Sequence, residues 1–192
     1  MALIFEMNRR GFLKSAVAAS LLVGSRRVFG QSAAAKIKIV LNYGVGLWYF
    51  DPVGLYLEKG QSVEWQALRW GPTVSAFHPS IGNHELRIPE AAKPFDSELL
   101  AEGDTFRWTF EVEGTYDYFS KNHEAMGLIG RIVVGRPGGP GEKPPRYGGA
   151  EGRAPIYPRA MDVFGIFKSE EIVQRKAVPF PAKKIGHRYP EY

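Results

Sequence analysis

Short β-rich runs follow one another along residues 36–134, and turn signals separate them. In residues 62–67 the side chains alternate strictly, so that Val63 and Trp65 share one face while Glu64 and Gln66 share the other. Comparable runs occupy residues 36–41, 50–57, 73–77, 105–112, 115–119 and 127–134. Many short strands joined by turns are typical of β-sandwiches. The pattern therefore predicts an all-β fold, an antiparallel Greek-key β-sandwich.

Composition limits the chemistry that the chain can perform. The 192 residues include no cysteine, and 44% of them are apolar. This apolar content is sufficient for one domain with a core. Disulfide bonds and blue-copper centres both depend on cysteine sulfur, so the chain can form neither. It also lacks a Gly-rich phosphate loop and a Gly-x-Ser-x-Gly motif, and we expect no enzymatic activity.

Charge is distributed unevenly along the chain. Residues 1–30 carry five basic and one acidic side chain, and residues 137–192 carry ten basic and six acidic ones. Residues 31–136 carry ten basic and thirteen acidic side chains, a net charge of −3. Because this middle part is mildly acidic, we expect no binding to nucleic acid. Basic ends suit an anionic membrane surface or an acidic protein partner.

The N-terminal residues 8–14, Asn-Arg-Arg-Gly-Phe-Leu-Lys, resemble a twin-arginine export signal. The apolar stretch that follows, residues 15–24, is too short to cross a bilayer core of about 30 Å. Residues 1–34 are therefore interpreted as an export signal, or as a retained N-terminal anchor, and are set apart from the fold. The expected location is the periplasm, and this N-terminus is the candidate site of membrane association.

Residues 36–135 resemble the cupredoxins, the plastocyanin and pseudoazurin family. The resemblance is carried by Phe50-x-Pro52, by the spacing of Leu55, Leu57, Gly60, Val63 and Trp65, by the insertion at 86–97 and by the block at 123–134. It implies a cupredoxin-like β-sandwich over residues 35–136. It also implies an apolar surface for docking redox partners around the copper loop, which would include Trp70 and Met126.

The resemblance also implies four copper-ligand positions, and most of them have changed. The family supplies a Cys, a His three residues later and a Met five residues after that His. These positions correspond to Ser120, His123 and Leu128, and the family's first His corresponds to Pro72. Only one ligand of the blue site is left, so we predict a copper-free plug of packed and hydrogen-bonded side chains. The alternative is a rebuilt, non-blue copper site made by His123, His84 and Met126.

Residues 137–192 are expected to form a basic C-terminal arm. Residues 135–149 have the Pro/Gly composition of a linker. Ser169-Glu170-Glu171 predicts the start of a short helix, as in some plastocyanin-like proteins, so part of the arm is expected to pack on the sandwich. Two readings stay open, a partly disordered tail or an arm ordered by a partner. Its candidate partner contacts are Tyr147, Tyr157, Phe180 and Tyr189.

These observations lead to two functional hypotheses. The first is an exported, copper-free binding or scaffold subunit, on the periplasmic face of a membrane-bound electron-transfer complex, with protein partners and no cofactor. The second is a periplasmic copper-binding protein with a non-blue site, used for copper handling or electron transfer.

Overall fold

The structure is a computed structural model, and it describes residues 33–145 and 158–181. The export signal and the candidate contacts Tyr147, Tyr157 and Tyr189 lie outside the described residues. No helix in the described part is long and apolar enough to cross a membrane.

Two β-sheets face each other. The first contains β1 (Ala35–Asn42), β2 (Leu47–Asp51), β4 (Ser62–Ala67) and β6 (Thr105–Thr109), in the order β2-β1-β4-β6. The second contains β3 (Gly54–Leu57), β5 (Ser75–Ala76), β7 (Gly114–Phe119), β8 (Ile129–Val134) and β9 (Ala177–Val178), in the order β5-β7-β8-β3-β9. The predicted run at 50–57 is divided between β2 and β3, and β9 was not predicted.

The sheets are mixed, which corrects the prediction of purely antiparallel pairing. β1 pairs with β4 in parallel, with Ile37 opposite Trp65, and β3 pairs with β8 in parallel, with Leu55 opposite Ile132. Residue alternation identifies a strand and its buried face, but it carries no information on the direction of a partner distant in sequence. The Greek-key connectivity stays a prediction.

Aromatic rings fill the space between the sheets. Trp65 of the first sheet is fully buried, and its ring centroid lies 5.5 Å from that of Tyr118 in the second sheet. Phe50 approaches the same tyrosine at 4.6 Å. The inward residues of the alternating strands thus meet in one core, and the loops at the strand ends are held by it.

The C-terminal segment forms a cover over this core. Helix α1 (Pro158–Phe164) is followed by α2 (Ser169–Arg175) and β9. Helix α2 begins at the predicted Ser169, whereas α1 was not predicted. Seven apolar side chains of the segment are buried, namely Ala160, Val163, Phe164, Phe167, Ile172, Val178 and Phe180. Residues 158–181 are therefore part of the folded domain.

A buried ionic cluster joins this cover to the second sheet, since Arg131 Nη1 on β8 donates to Ser169 Oγ of α2 at 3.1 Å. Asp117 on β7 is fully buried and accepts from Arg87 Nε at 2.8 Å and Arg131 Nε at 2.7 Å. Both guanidinium groups also donate to the carbonyl oxygen of Gly141 at 2.8 Å. Gly141 belongs to the stretch predicted as a free linker, so the first part of that stretch is fixed to the sheet.

Candidate functional site

The loop between β7 and β8, residues 120–128, is closed by its own backbone. Ser120 N–H donates to the carbonyl of Leu128, and Leu128 N–H donates to the carbonyl of His123, each at 3.1 Å. His123 N–H donates back to the carbonyl of Ser120 at 2.9 Å. A 3-10 helix, Glu124–Met126, completes the turn and ends at Gly127, whose φ is 82°. Three of the four predicted ligand positions are thus adjacent in space.

The Ser120 hydroxyl lies at the centre of this arrangement. Its Oγ accepts a hydrogen bond from Thr73 N–H at 3.0 Å and lies 3.2 Å from His123 Nδ1. Since Oγ already accepts from the backbone, its own hydrogen is available to donate to the imidazole. Thr73 follows Pro72 directly, so the fourth predicted position lies one residue from this contact.

The ring of His123 is buried, which favours its neutral form. The residue is 8% exposed, and burial lowers its pKa below the ordinary value. A neutral imidazole can accept the Ser120 hydrogen at Nδ1. Leu128 is fully buried and supplies only apolar surface, and Pro72, which is also buried, has no side-chain donor atom. The four positions form a packed and hydrogen-bonded plug.

His84 and Glu124 form a second polar pair beside this plug. His84 Nε2 lies 2.8 Å from Glu124 Oε2, and His84 Nδ1 lies 2.8 Å from the carbonyl oxygen of Ile81. Both nitrogens face acceptors, which suits a doubly protonated imidazolium beside a carboxylate. Burial lowers the pKa of His84, but the hydrogen bond and charge of Glu124 outweigh it, and the net pKa is raised. Glu124 Oε1 is buried without a hydrogen-bond partner among the described residues.

Two further contacts hold the loop from outside. Asn122 Nδ2 donates to the carbonyl of Gly71 at 3.1 Å, which ties the loop to the segment preceding β5. On the other side, helix α1 packs against Gly127, where an added Cβ would lie 3.0 Å from the side chains of Arg159 and Val163. The loop is thus fixed by the sandwich and by the C-terminal cover.

The candidate partner contacts differ in accessibility. Trp70 is 66% exposed beside Gly71, and Met126 is half-buried in the 3-10 helix. Phe180 is buried, and its ring stacks on Tyr49 at a centroid distance of 4.4 Å. Because that ring packs inside the folded chain, little of Phe180 is accessible to a partner, and we no longer count it among the partner contacts.

The residues at the plug do not fit the copper site that the resemblance implied. Pro72 and Leu128 offer no ligand atom, and the Ser120 oxygen is engaged by Thr73. Over residues 33–145 and 158–181, no group of three or more His, Asp or Glu side chains could hold a metal ion. Of the alternative set, His84 reaches the loop, but both of its nitrogens face other acceptors.

Sequence reasoning missed the residues that complete the plug. Thr73 and Asn122 act through hydrogen bonds to residues 47 and 51 positions away, and Arg159 packs on Gly127 of the loop and donates to the carbonyl of Gly46. In the sequence, the one sign that Thr73 lies near the plug is its position directly after Pro72, a predicted ligand position. No sequence pattern indicates that Arg159 of α1 would reach the loop.

The chain is similar in sequence to copper proteins of a known family. The pattern of the family described as copper binding proteins, plastocyanin/azurin family, matches residues 37–135. A plastocyanin from Nostoc punctiforme is 28% identical over 137 residues, covering 68% of this chain and 97% of the relative. A chloroplastic plastocyanin from Tetradesmus obliquus is 27% identical over 123 residues, covering 62% and 79%.

A solved structure supports the same fold. A pseudoazurin from Sinorhizobium superposes with a TM-score of 0.52 at 20% identity, covering 71% of this chain and 97% of the pseudoazurin. At that identity the likeness concerns the fold alone.

Proposed function

Since the chain belongs to the plastocyanin/azurin family of copper binding proteins, we propose that it is an exported, copper-free member that serves as a binding or scaffold subunit. Its location would be the periplasmic face of a membrane-bound electron-transfer complex. Family membership confirms the resemblance drawn from residues 36–135. The scaffold role, the export and the absence of copper are the proposed part, and no catalytic reaction is assigned.

The observation that carries the proposal is the closed hydrogen-bond network at Ser120. A copper thiolate requires a free sulfur, whereas here a hydroxyl accepts from Thr73 N–H and faces His123 Nδ1. These contacts satisfy buried polar groups without a metal. Two of the remaining positions, Pro72 and Leu128, contribute only apolar atoms. The site therefore supports recognition through a rigid surface better than it supports redox chemistry.

Export by the twin-arginine route is proposed from the motif at residues 8–14 alone. That route accepts proteins which are already folded, and a domain that folds without a cofactor satisfies this requirement. The basic N-terminus, with five basic and one acidic side chain in residues 1–30, also suits an anionic membrane surface.

A second candidate function is copper binding at a non-blue site. Family membership favours it, and so does the buried Glu124 Oε1, which has no partner within the described part of the chain and lies next to His123 in sequence. His123, His84 and Met126 would be the ligands. This function requires the His84–Glu124 hydrogen bond to open, because that bond occupies His84 Nε2.

One experiment separates the two functions. The native protein is isolated from the membrane and periplasmic fractions, its metal content is measured, and copper is titrated into the wild type and the His123→Ala variant. We expect no stoichiometric copper in either protein and co-purification with a membrane complex. Stoichiometric copper that is lost in His123→Ala would establish the alternative. A freely soluble monomer without a partner would contradict the scaffold role.

A further inference from the structure

Strand β6, Thr105–Thr109, is an edge of the first sheet. It pairs with β4, and no second strand of the described residues lies against its other side. The edge strands of the second sheet, β5 and β9, have two residues each. At the other edge of the first sheet, Phe180 of the cover stacks on Tyr49 of β2. With five residues, β6 is long enough to accept an additional strand.

The backbone groups on the open side of β6 have no partner within the described part of the chain. Just beyond its two ends, Ala67 N–H donates to the carbonyl of Asp104 at 2.9 Å, and Phe110 N–H donates to the carbonyl of Gln61 at 3.0 Å. Bonding direction alternates along an antiparallel strand, so the even-numbered residues of β6 face β4 and the odd-numbered ones face away. Outside the β4 ladder, no backbone hydrogen bond in 33–145 and 158–181 involves these odd-numbered residues, namely Thr105, Arg107 and Thr109.

Two large aromatic side chains line the inner face of the same edge. Phe106 lies opposite Trp65, and Trp108 lies opposite Val63. Trp65 and Val63 are fully buried, whereas Phe106 and Trp108 are half-buried. Phe95 packs on Trp108 with the ring centroids 5.6 Å apart. A strand added at β6 would cover more of both half-buried rings, and the burial of apolar surface would favour its binding.

A cation lies at the centre of the outer face of this edge. Arg107 is exposed, and none of the ion pairs within the described residues includes it. Its neighbour on β4, Glu64, lies 3.7 Å from Lys36 Nζ. Thr105 and Thr109, on the same face, are uncharged. A carboxylate directly opposite Arg107 on an added strand would be favourable, and a second cation there would be unfavourable.

The same cation argues against a second copy of the chain as the added strand. Two β6 strands paired antiparallel about a two-fold axis, and aligned over all five residues, would place their Arg107 side chains directly opposite each other. Like charges in that position destabilise a sheet. A charged side chain on an edge strand is a common protection against such self-association. The charge therefore favours a strand from a different protein.

We propose that β6 is a docking edge for an extended segment of a protein partner, which adds to the first sheet as a fifth, antiparallel strand. The segment carries an acidic residue opposite Arg107. The residues on either side of that acid are apolar, and they lie opposite Phe106 and Trp108. This inference goes beyond the proposed function, because the edge belongs to the first sheet and does not involve the plug or its metal content.

The test uses the isotope-labelled full chain and the acetylated, amidated peptide Thr-Val-Glu-Val-Thr, whose pattern reads the same in both directions. We expect saturable shifts of the amide resonances of residues 105–109, and binding about fivefold weaker when lysine replaces the central glutamate. N-methylation of that glutamate removes the N–H that faces Arg107 and should abolish binding. N-methylation of a valine, whose N–H faces away from β6, is the matched control and should preserve binding.

A charge reversal on the protein tests the acidic preference separately. Arg107→Glu should reverse the order, so that the lysine peptide binds about fivefold more tightly than the glutamate peptide. Lys38→Glu makes the same change in net charge at an exposed position of β1, which β4 separates from β6. This control should leave the preference for the glutamate peptide unchanged.

Four results would contradict the inference: no saturable shift in residues 105–109, shifts centred elsewhere in the chain, equal binding of the two N-methylated peptides, or a preference that Arg107→Glu does not alter. Shifts of the same resonances with protein concentration alone would assign the edge to a second copy of the chain, and would also contradict it. Copper content enters none of these measurements, so their failure would leave the proposed function as it stands.

Discussion

Ser120 is the residue on which the plug depends, because its hydroxyl satisfies a buried backbone donor. Ser120→Ala leaves Thr73 N–H without its acceptor, and we expect the free energy of unfolding to fall by about 1–3 kcal/mol. Urea denaturation measures this change. Ser80→Ala is the control, since Ser80 is exposed and bonds only the nearby His78, and its effect should stay within about 0.5 kcal/mol. Equal midpoints for both variants would contradict the role of Ser120.

His84 and His123 are expected to give opposite pH dependences of stability. The pKa of His84 is raised, so its stabilisation is complete below its unfolded value of about 6.5 and is lost as pH rises through the folded pKa. The pKa of His123 is lowered, so its stabilisation is complete above about 6.5 and is lost as pH falls through the folded pKa.

Two variants separate these contributions by urea denaturation between about pH 5.5 and 8. In His123→Gln the His84 contribution should decline toward high pH, and in His84→Gln the His123 contribution should decline toward low pH. His78 and His187 are present in both variants, so the difference between the two profiles removes their effect. Profiles with the same slope would contradict the environments described for the two rings.

At the scale of single residues, much of the plug could be predicted. The spacing of Ser120, His123 and Leu128 identified the loop because those positions are close in sequence. Thr73 was missed since its hydrogen bond to Ser120 spans 47 residues and uses a backbone N–H, which any residue except proline carries. The pairing of His84 with Glu124 likewise depends on the path of an insertion that has no periodic pattern.

At the scale of elements, the C-terminal cover is expected to be essential to the fold. Phe167 is 2% exposed, and its ring lies 5.2 Å from the Arg131 guanidinium. Phe167→Ala should cost about 3–5 kcal/mol because it leaves a cavity between the cover and β8. Ile166→Ala, at the half-buried neighbouring position, is the control and should cost less than half as much. A small effect of Phe167→Ala on the urea midpoint would show that the cover is dispensable.

The ionic cluster beneath the cover should be equally sensitive. Asp117→Asn removes the charge that two buried guanidinium groups share, and we expect a loss of about 3–5 kcal/mol. Glu171→Gln breaks the exposed pair with Arg175, also within the cover, and should change stability by about 0.5 kcal/mol or less. Thermal unfolding of the two variants, measured side by side, checks this difference. Similar melting temperatures would mean that the cluster contributes little.

Strands were easier to predict than their pairing. The alternation in 62–67 identified β4, but the paired residues of its parallel partner lie 28 positions earlier, and their sequence carries no sign of the strand's direction. The start of α2 was visible in Ser169-Glu170-Glu171, whereas β9 has two residues and arises from pairing with β3. Tertiary contacts decide such short elements.

At the scale of the whole molecule, the scaffold should still accept a blue-copper centre when its ligands are restored. Pro72→His, Ser120→Cys and Leu128→Met together supply the two imidazoles, the thiolate and the thioether that such a centre uses. We expect the triple variant to bind copper with an intense visible absorption from the thiolate. Ser120→Cys alone is the control and should lack that spectrum. Absence of the absorption in a folded triple variant would mean that the four positions no longer converge as described.

The pairing of β9 with β3 has a consequence for biosynthesis. Ala177 lies opposite Leu55, so one ladder of the second sheet joins residues that are 122 positions apart. Non-local pairing of this kind forms late, because a long stretch of polypeptide must first be ordered. Translation has to reach residue 178 before that sheet can be completed. Until then the edge of β3 is open, and the nascent polypeptide is exposed to aggregation that the finished protein avoids.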